Sequence, residues 1–388
     1  MIQNELQAWE GELIGLRRDF HTHPELAFEE HRTSAIVAEK LRGWGYQVAI
    51  LAGTGVVGTL TRGQGKRIGL RADMDALPIL EATDAEYASA TPGKMHACGH
   101  DGHTVMLLGA ARFLAEHGKF TGTLNVIFQP AEENIGGANR MIEQGLFDQF
   151  PCDAIFALHN LPGLAAGHIM VKPGSVMAAC DVASVTIRGR GGHGAAPQFT
   201  SDCIVAAASI VQALQTLVSR NVSPVDPAVV TVGSFHAGTT ATIIPETAQL
   251  EIGIRTCSRD ARDLLEKRLH ALVHAQAQSY GCTAEIAYDK SYPATINSRA
   301  ETQFVADTAR ALNLPLVEAD APLMFSEDFA FMLEKVPGSY FFLGMGDEAD
   351  RPFLHDPGYD FNDTQLTTGA AFFAHLVERY LTPEAARP

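Results

Sequence analysis

Between Met95 and His103 the chain carries a thiol at Cys98, imidazoles at His96, His100 and His103, and a carboxylate at Asp101. Glycines at 99 and 102 let the backbone turn tightly between them. Cys98 and His100 sit two residues apart, so an extended or turning backbone can aim both at one point. A thiolate with an imidazole suits a borderline-soft divalent transition metal better than calcium or magnesium. The competing reading is a histidine-bearing loop ahead of a helix, with Cys98 as a small buried hydrophobe.

Further donors recur downstream. Glu132 and Glu133 follow the apolar run Thr123 to Gln129, His159 follows Asp153 to Leu158, and His355 sits in a late loop. With Cys98 and His100 these are enough for two ions that share one ligand. Two metals roughly 3.5–4 Å apart clamp a hydrolytic transition state, acidify a bridging water and polarise the carbonyl under attack. Such a site also needs a proton shuttle that is not tied up by metal. In an adjacent carboxylate pair one member binds metal and its neighbour acts as general base, and Glu132-Glu133 is such a pair. A solvated pair at a helix N-terminus is the alternative. A position between a buried strand and Gly136-Gly137 speaks against it.

His193 lies in the glycine-dense turn Arg188 to Gly194 and can donate to a developing oxyanion. No Lys-Ser/Thr follows those glycines, which disfavours a phosphate loop. Arg255, at the end of a strand, can pair with a substrate carboxylate through its bidentate fork, or form an ordinary surface ion pair. Asp75 and Asp101 are read as supporting carboxylates, because metal-bound imidazoles commonly donate their other nitrogen to an acceptor. No Ser or Cys occupies a nucleophile-elbow pattern.

These donors need a scaffold. Strands are expected at 47–51, 55–61, 67–71, 123–129 and 153–158, alternating with helices at 30–41, 103–117 and 139–144. That order predicts a mainly parallel α/β sheet, in which sites gather at the carboxyl ends of strands. Asp73, Asp75, Glu132, Glu133 and His159 all fall at such ends. One amphipathic helix is expected at the start, on Ile2, Leu6, Trp9, Leu13, Leu16 and Phe20. From residue 181 the order becomes strand, helix, two strands, helix, strand, the pattern of a ferredoxin-like α+β domain. It is placed as an insertion over 181–291, with 1–180 and 292–388 forming a discontinuous catalytic, metal-binding domain.

At 388 residues the chain is long enough for two such cores. Hydrophobic content of 46% and charged content of 19% describe an ordinary globular protein. A net charge of −16 argues against nucleic acid and anionic membranes as partners. No apolar run is read as a membrane span, and the N-terminus does not read as a secretory signal. Six scattered cysteines without a CxxC pair fit a reduced, cytoplasmic location.

Several stretches together resemble the amidohydrolase branch of the M20 metallopeptidases over nearly the whole chain. They are Arg17 to Glu25, Arg71 to Pro78, Met95 to His103, Gln129 to Glu133, Leu158 to Asn160, Gly191 to Pro197, Ser326 to Phe329, and His355. The resemblance implies a zinc-peptidase-like architecture and two divalent ions per subunit, Mn²⁺ or Zn²⁺, with Co²⁺ and Ni²⁺ also compatible with the ligands. It implies that Cys98 bridges the metals, Glu133 and His355 complete one, and His100 and His159 the other. Glu132 would be the general base that returns its proton to the leaving amine. The inserted domain would be lid and dimerisation domain of a homodimer, with His193 reaching an active site, often that of the partner subunit. The implied substrate is a small N-acyl amino acid, acetyl or benzoyl, cleaved at its amide. A dipeptidase or carboxypeptidase on the same scaffold needs an acidic cluster for a free α-amine, which the sequence lacks; a non-catalytic binding relative would not need Glu132. One departure stands out: Thr242 occupies a position where members usually carry Asn. A shorter hydroxyl replaces an amide donor and acceptor there, so substrate contacts are expected to differ.

Overall fold

The computed structural model describes residues 2–133 and 136–382. The chain divides into two compact units, one built from Met1–Gly174, Ile296–Ala321 and Asp328–Pro388, the other from Ser175–Thr295 and Pro322–Glu327.

The first unit holds an eight-stranded sheet in the spatial order Gln47–Leu51, Gly55–Arg62, Gly122–Gln129, Arg67–Asp73, Ala154–Leu161, Gly338–Gly344, Ile169–Val171, Leu316–Glu318. Its four middle strands run parallel to one another. The first two strands join antiparallel, and Ile169–Val171 pairs antiparallel with Gly338–Gly344. The sheet is therefore mixed, with a parallel centre and antiparallel pairings on either side of it. A tight connection between Leu51 and Gly55 can only return a strand antiparallel, whereas parallel neighbours need a long crossover. Helix His100–Glu116 is such a crossover, joining Arg67–Asp73 to Gly122–Gln129, and it packs on Leu366–Leu381 and Glu10–Thr22. Strands Ala154–Leu161 and Gly338–Gly344 are buried along their whole length, as expected of sheet interiors covered on both faces.

Register sets where the chemistry gathers. Asp73 lies opposite Gln129 and Arg71 opposite Ala157, so the carboxyl ends of three strands finish side by side. The residues that follow them emerge at one edge of the sheet. Two boundaries differ from expectation. The opening helix is two helices, Ile2–Ala8 and Glu10–Thr22, interrupted at Trp9. The helix expected from His103 begins at His100, because Gly99 takes a left-handed φ of 88° just before it.

The second unit follows strand–helix–strand–strand–helix–strand along the chain. Its antiparallel sheet is ordered Ala228–Ala237, Thr247–Thr256, Ala179–Arg188, Thr283–Tyr292. Helices Cys203–Asn221 and Arg259–Ser279 pack on each other and on the sheet, capped by Asp202 and Ser258. The unit reaches beyond 181–291 because Ala178 N–H is shared by the carbonyls of Leu323 and Phe325, which ties 322–327 to it. Among the described residues, Cys203–Asn221 is long and apolar enough to cross a membrane, with mean hydropathy 1.4 and a third of it buried. Ala, Val and Ile carry that average across interrupting Ser, Gln and Thr, so the helix is not an unbroken apolar run. Its Ala206, Ala207, Ile210, Leu214 and Leu217 belong to the core of this unit.

Candidate metal centre

The tight turn at Gly99 decides the centre of the first unit. A Cβ on Gly99 would lie 2.6 Å from Asn160 Oδ1 and 2.7 Å from the Tyr359 hydroxyl, so only glycine fits. The left-handed turn sends Cys98 and His100 into one buried pocket. His159 enters from inside the strand Ala154–Leu161 rather than after its end, and its Nε2 lies 3.5 Å from Cys98 Sγ.

Both buried imidazoles are oriented by carbonyl oxygens. His100 Nδ1 donates to Asp75 O at 2.9 Å, and His159 Nδ1 to Asn160 O at 2.7 Å. Each Nε2 is thereby turned toward the other donors, that of His159 to Cys98 and that of His100 to Glu133. Glu133 N–H donates to Asp75 Oδ2 at 3.0 Å. Glu133 Oε1 lies 3.3 Å from His355 Nε2 and 3.8 Å from His100 Nε2. His355 is half-exposed, in a left-handed φ of 65°, and its N–H donates to Ala97 O at 2.8 Å, one residue before Cys98.

The donor atoms form overlapping groups within 4.8 Å: Cys98 with His100 and His159, Cys98 with Glu133 and His355, and His100 with Glu132 and Glu133. Two of these share Cys98. His100 Nε2 and Glu133 Oε1 are buried without a hydrogen-bond partner among the described residues, an arrangement that is costly unless something binds there. Burial, with the charges of Glu133, Glu132 and Asp73, pushes the Cys98 thiol well up. His100 is driven up to about 10, burial opposing and Asp73, Asp75 and Glu133 outweighing it. His159 is held well below its ordinary value by burial and by His103 beside it. Excess negative charge thus gathers around soft and borderline donors. This fits a pair of divalent cations, whose uptake would displace protons from Cys98 and His100.

The supporting residues sort differently from expectation. Asp75 serves both His100 and Glu133. Asp101 instead accepts from His21 Nδ1 at 2.8 Å and faces Arg17 Nε at 3.1 Å. Consecutive helical residues project about 100° apart, so His100 and Asp101 cannot serve one pocket. Burial opposes ionisation of Asp101, but Arg17 and His21 hold its carboxyl far below the usual range. His103 bonds Asp73 Oδ1 at 2.6 Å. Asn160 and Glu30, to which the sequence assigned no role of their own, also touch the site's framework. A carboxylate just ahead of a helix looks like an ordinary cap, so Glu30 offers no local signal.

The second unit brings two of its three expected residues together. His193, in the short strand Gly192–His193, pairs with Ile243, and Gly194 N–H donates to Thr242 O at 2.8 Å. His193 and Thr242 are exposed. Arg255 is half-buried on Thr247–Thr256, where its Nη1 donates to Ser326 Oγ at 3.0 Å.

Residues 69–379 match the pattern of peptidase family M20/M25/M40. The hippurate hydrolase of Campylobacter jejuni is 42% identical over 381 residues, covering 97% of this chain and 98% of that protein. The N-acetyl-L-cysteine deacetylase of Bacillus subtilis is 38% identical, covering 97% of this chain and 90% of that protein. Among solved structures, the Bacillus subtilis YXEP protein, a dinuclear metal binding peptidase from the M20 family, matches with a TM-score of 0.85 at 33% identity, covering 97% and 99% of the two chains.

Proposed function

The chain belongs to the M20/M25/M40 peptidase family, in its amidohydrolase branch, and on that premise we propose that it hydrolyses the amide bond of N-acyl amino acids. The observation that carries the reading is the pair of donor groups sharing Cys98 beside a second buried carboxylate, Glu132. Cys98, His100 and His159 would hold one divalent ion, and Cys98, Glu133 and His355 the other, with manganese or zinc favoured and cobalt or nickel compatible. When bound, such ions supply the Lewis acidity that polarises an amide carbonyl and acidifies water.

Five other residues suffice as metal donors, and Glu132 is assigned to proton transfer. Its carboxylate takes a proton from the attacking water and returns it to the departing amine nitrogen. Cys98 acts as a ligand, not as a nucleophile. In the second, ferredoxin-like unit we assign His193 to the developing oxyanion, Arg255 to the substrate carboxylate and Thr242 to substrate contacts. That unit is also assigned the roles of lid and homodimer interface. Six free cysteines, one of them needed as a thiolate, suit a reducing cytoplasm.

The test is Glu132→Gln, an isosteric change that removes the base. Turnover of N-benzoyl and N-acetyl amino acids is expected to fall by about 10²–10⁴-fold, with metal content by elemental analysis unchanged. Retained turnover would refute the base assignment. Dipeptides preferred over N-acyl amino acids across a Mn²⁺, Zn²⁺, Co²⁺ and Ni²⁺ panel would move the assignment to a dipeptidase.

A further inference from the structure

The loop bearing Glu132 leaves the strand Gly122–Gln129 through Pro130 and at once adopts a conformation that side chains rarely accept. Ala131 has a φ of 53°, where a Cβ crowds its own backbone. Something must hold it there. Ala131 O accepts Gly137 N–H at 3.0 Å, and Ala131 N–H donates to Glu30 Oε1 at 2.9 Å.

Glu30 is fully buried, and its other oxygen, Oε2, accepts the Thr54 hydroxyl at 2.6 Å. It immediately precedes helix His31–Gly43, yet its side chain makes no capping bond to that helix. The carboxylate is directed instead at a residue 101 positions away. Burial pushes the carboxyl up to about 7, the Thr54 bond opposing and the charge of Asp75 adding to the rise. Keeping so costly a group inside is hard to explain by stability, since an apolar residue would fill the space without a desolvation penalty.

The rest of the loop is fastened by other groups. Glu133 N–H goes to Asp75 Oδ2 at 3.0 Å, and Ala138 N–H to Asp328 Oδ2 at 2.9 Å. Glu30 therefore governs the residue just before Glu132, while Asp75 governs the metal-donor side.

We propose that Glu30 is the positioning residue of Glu132: by accepting the Ala131 N–H it locks the left-handed turn that presents the base. This rests on the reading of Glu132 as the base. Glu30→Asp keeps the charge but withdraws the oxygens by one methylene, Glu30→Ala removes them, and Glu30→Gln keeps length and one acceptor. With saturating metal, Glu30→Asp and Glu30→Ala are expected to lose roughly 10–100-fold in kcat, with KM little changed. Glu30→Gln should restore kcat to within about threefold of wild type, since one acceptor of the right reach is enough. In metal-free protein, hydrogen exchange in a peptide covering residues 128–133 should speed up in Glu30→Asp and Glu30→Ala but not in Glu30→Gln.

Folded Glu30→Asp enzyme with wild-type kcat, or with unchanged exchange, overturns the proposal. So does a Glu30→Gln enzyme as impaired as Glu30→Ala. The two readings fail separately. An active Glu132→Gln enzyme removes the base whatever Glu30 does, whereas an inactive one beside a fully active Glu30→Asp enzyme removes only the positioning role.

Discussion

In the first unit Cys98, His100, Glu132 and His159 are buried at strand ends and a helix start, each imidazole aimed by a backbone carbonyl. In the second, His193 and Thr242 are exposed, on a two-residue strand pairing and the turn beside it. Shifting a buried donor means repacking a core strand, whereas shifting an exposed one disturbs a short ladder. The first arrangement suits a fixed charge pattern that must exist before any substrate arrives. The second suits residues that adapt to what they touch. Loss of a donor in the first unit should therefore cost metal affinity steeply, whereas changes in the second should alter turnover or substrate preference with the metal content intact.

The largest effect is expected at Cys98. Cys98→Ala removes a donor common to both groups, so metal affinity should fall by more than about a hundredfold, beyond the usual cost of losing a supporting residue. Metal titration followed by elemental analysis measures it; an unchanged affinity would make the thiol a core filler. Next comes His193→Ala, expected to lower kcat by about 10²–10³-fold while metal content stays at the wild-type level. Metal loss in that variant would break the division of labour between the units.

A stability effect comes third. His21, buried between Asp101 and Glu81 and close to Arg17, Tyr87 and His96, is raised to about 9, burial opposing and the two carboxylates outweighing it. A raised histidine adds stability that is complete below its ordinary value near 6.5 and disappears as pH climbs through 9. The Tm of metal-free protein should therefore decline between pH 6.5 and 9, and His21→Gln should flatten that slope. A level wild-type profile would show that His21 is not charged in the folded chain.

The smallest effect belongs to Thr242→Asn. One exchanged hydrogen bond of about 0.5–1.5 kcal/mol predicts a change in KM of roughly tenfold or less. Relative preference among N-acyl amino acids should shift, with kcat on the best substrate held. A collapse of kcat instead would place Thr242 in the chemical step.

Legibility in the sequence follows the range of the interaction. Cys98 and His100 are readable because two residues and one glycine set their geometry, and Glu132, Glu133 and His159 because buried strands deliver them. The antiparallel return of Gln47–Leu51 on Gly55–Arg62 follows from the tight turn between them, but the direction of Ile169–Val171 and Leu316–Glu318 was not readable, since strands of three residues take it from their neighbours. Asp101 was misjudged because a linear motif hides the helical rotation that turns it towards Arg17 and His21.

Residue types, their local spacing and alternating strand and helix patterns determined the family, the donor inventory and the edge of the sheet where the donors collect. These depend on dihedral preferences and burial over a few residues. Only the tertiary structure decided that His355 is tethered to Ala97, one residue before Cys98, and that Asp75 rather than Asp101 serves His100. It alone put Glu30 against Ala131. Each of those contacts joins segments far apart in the chain, and their partners are chosen by strand register and core packing, which no local pattern encodes.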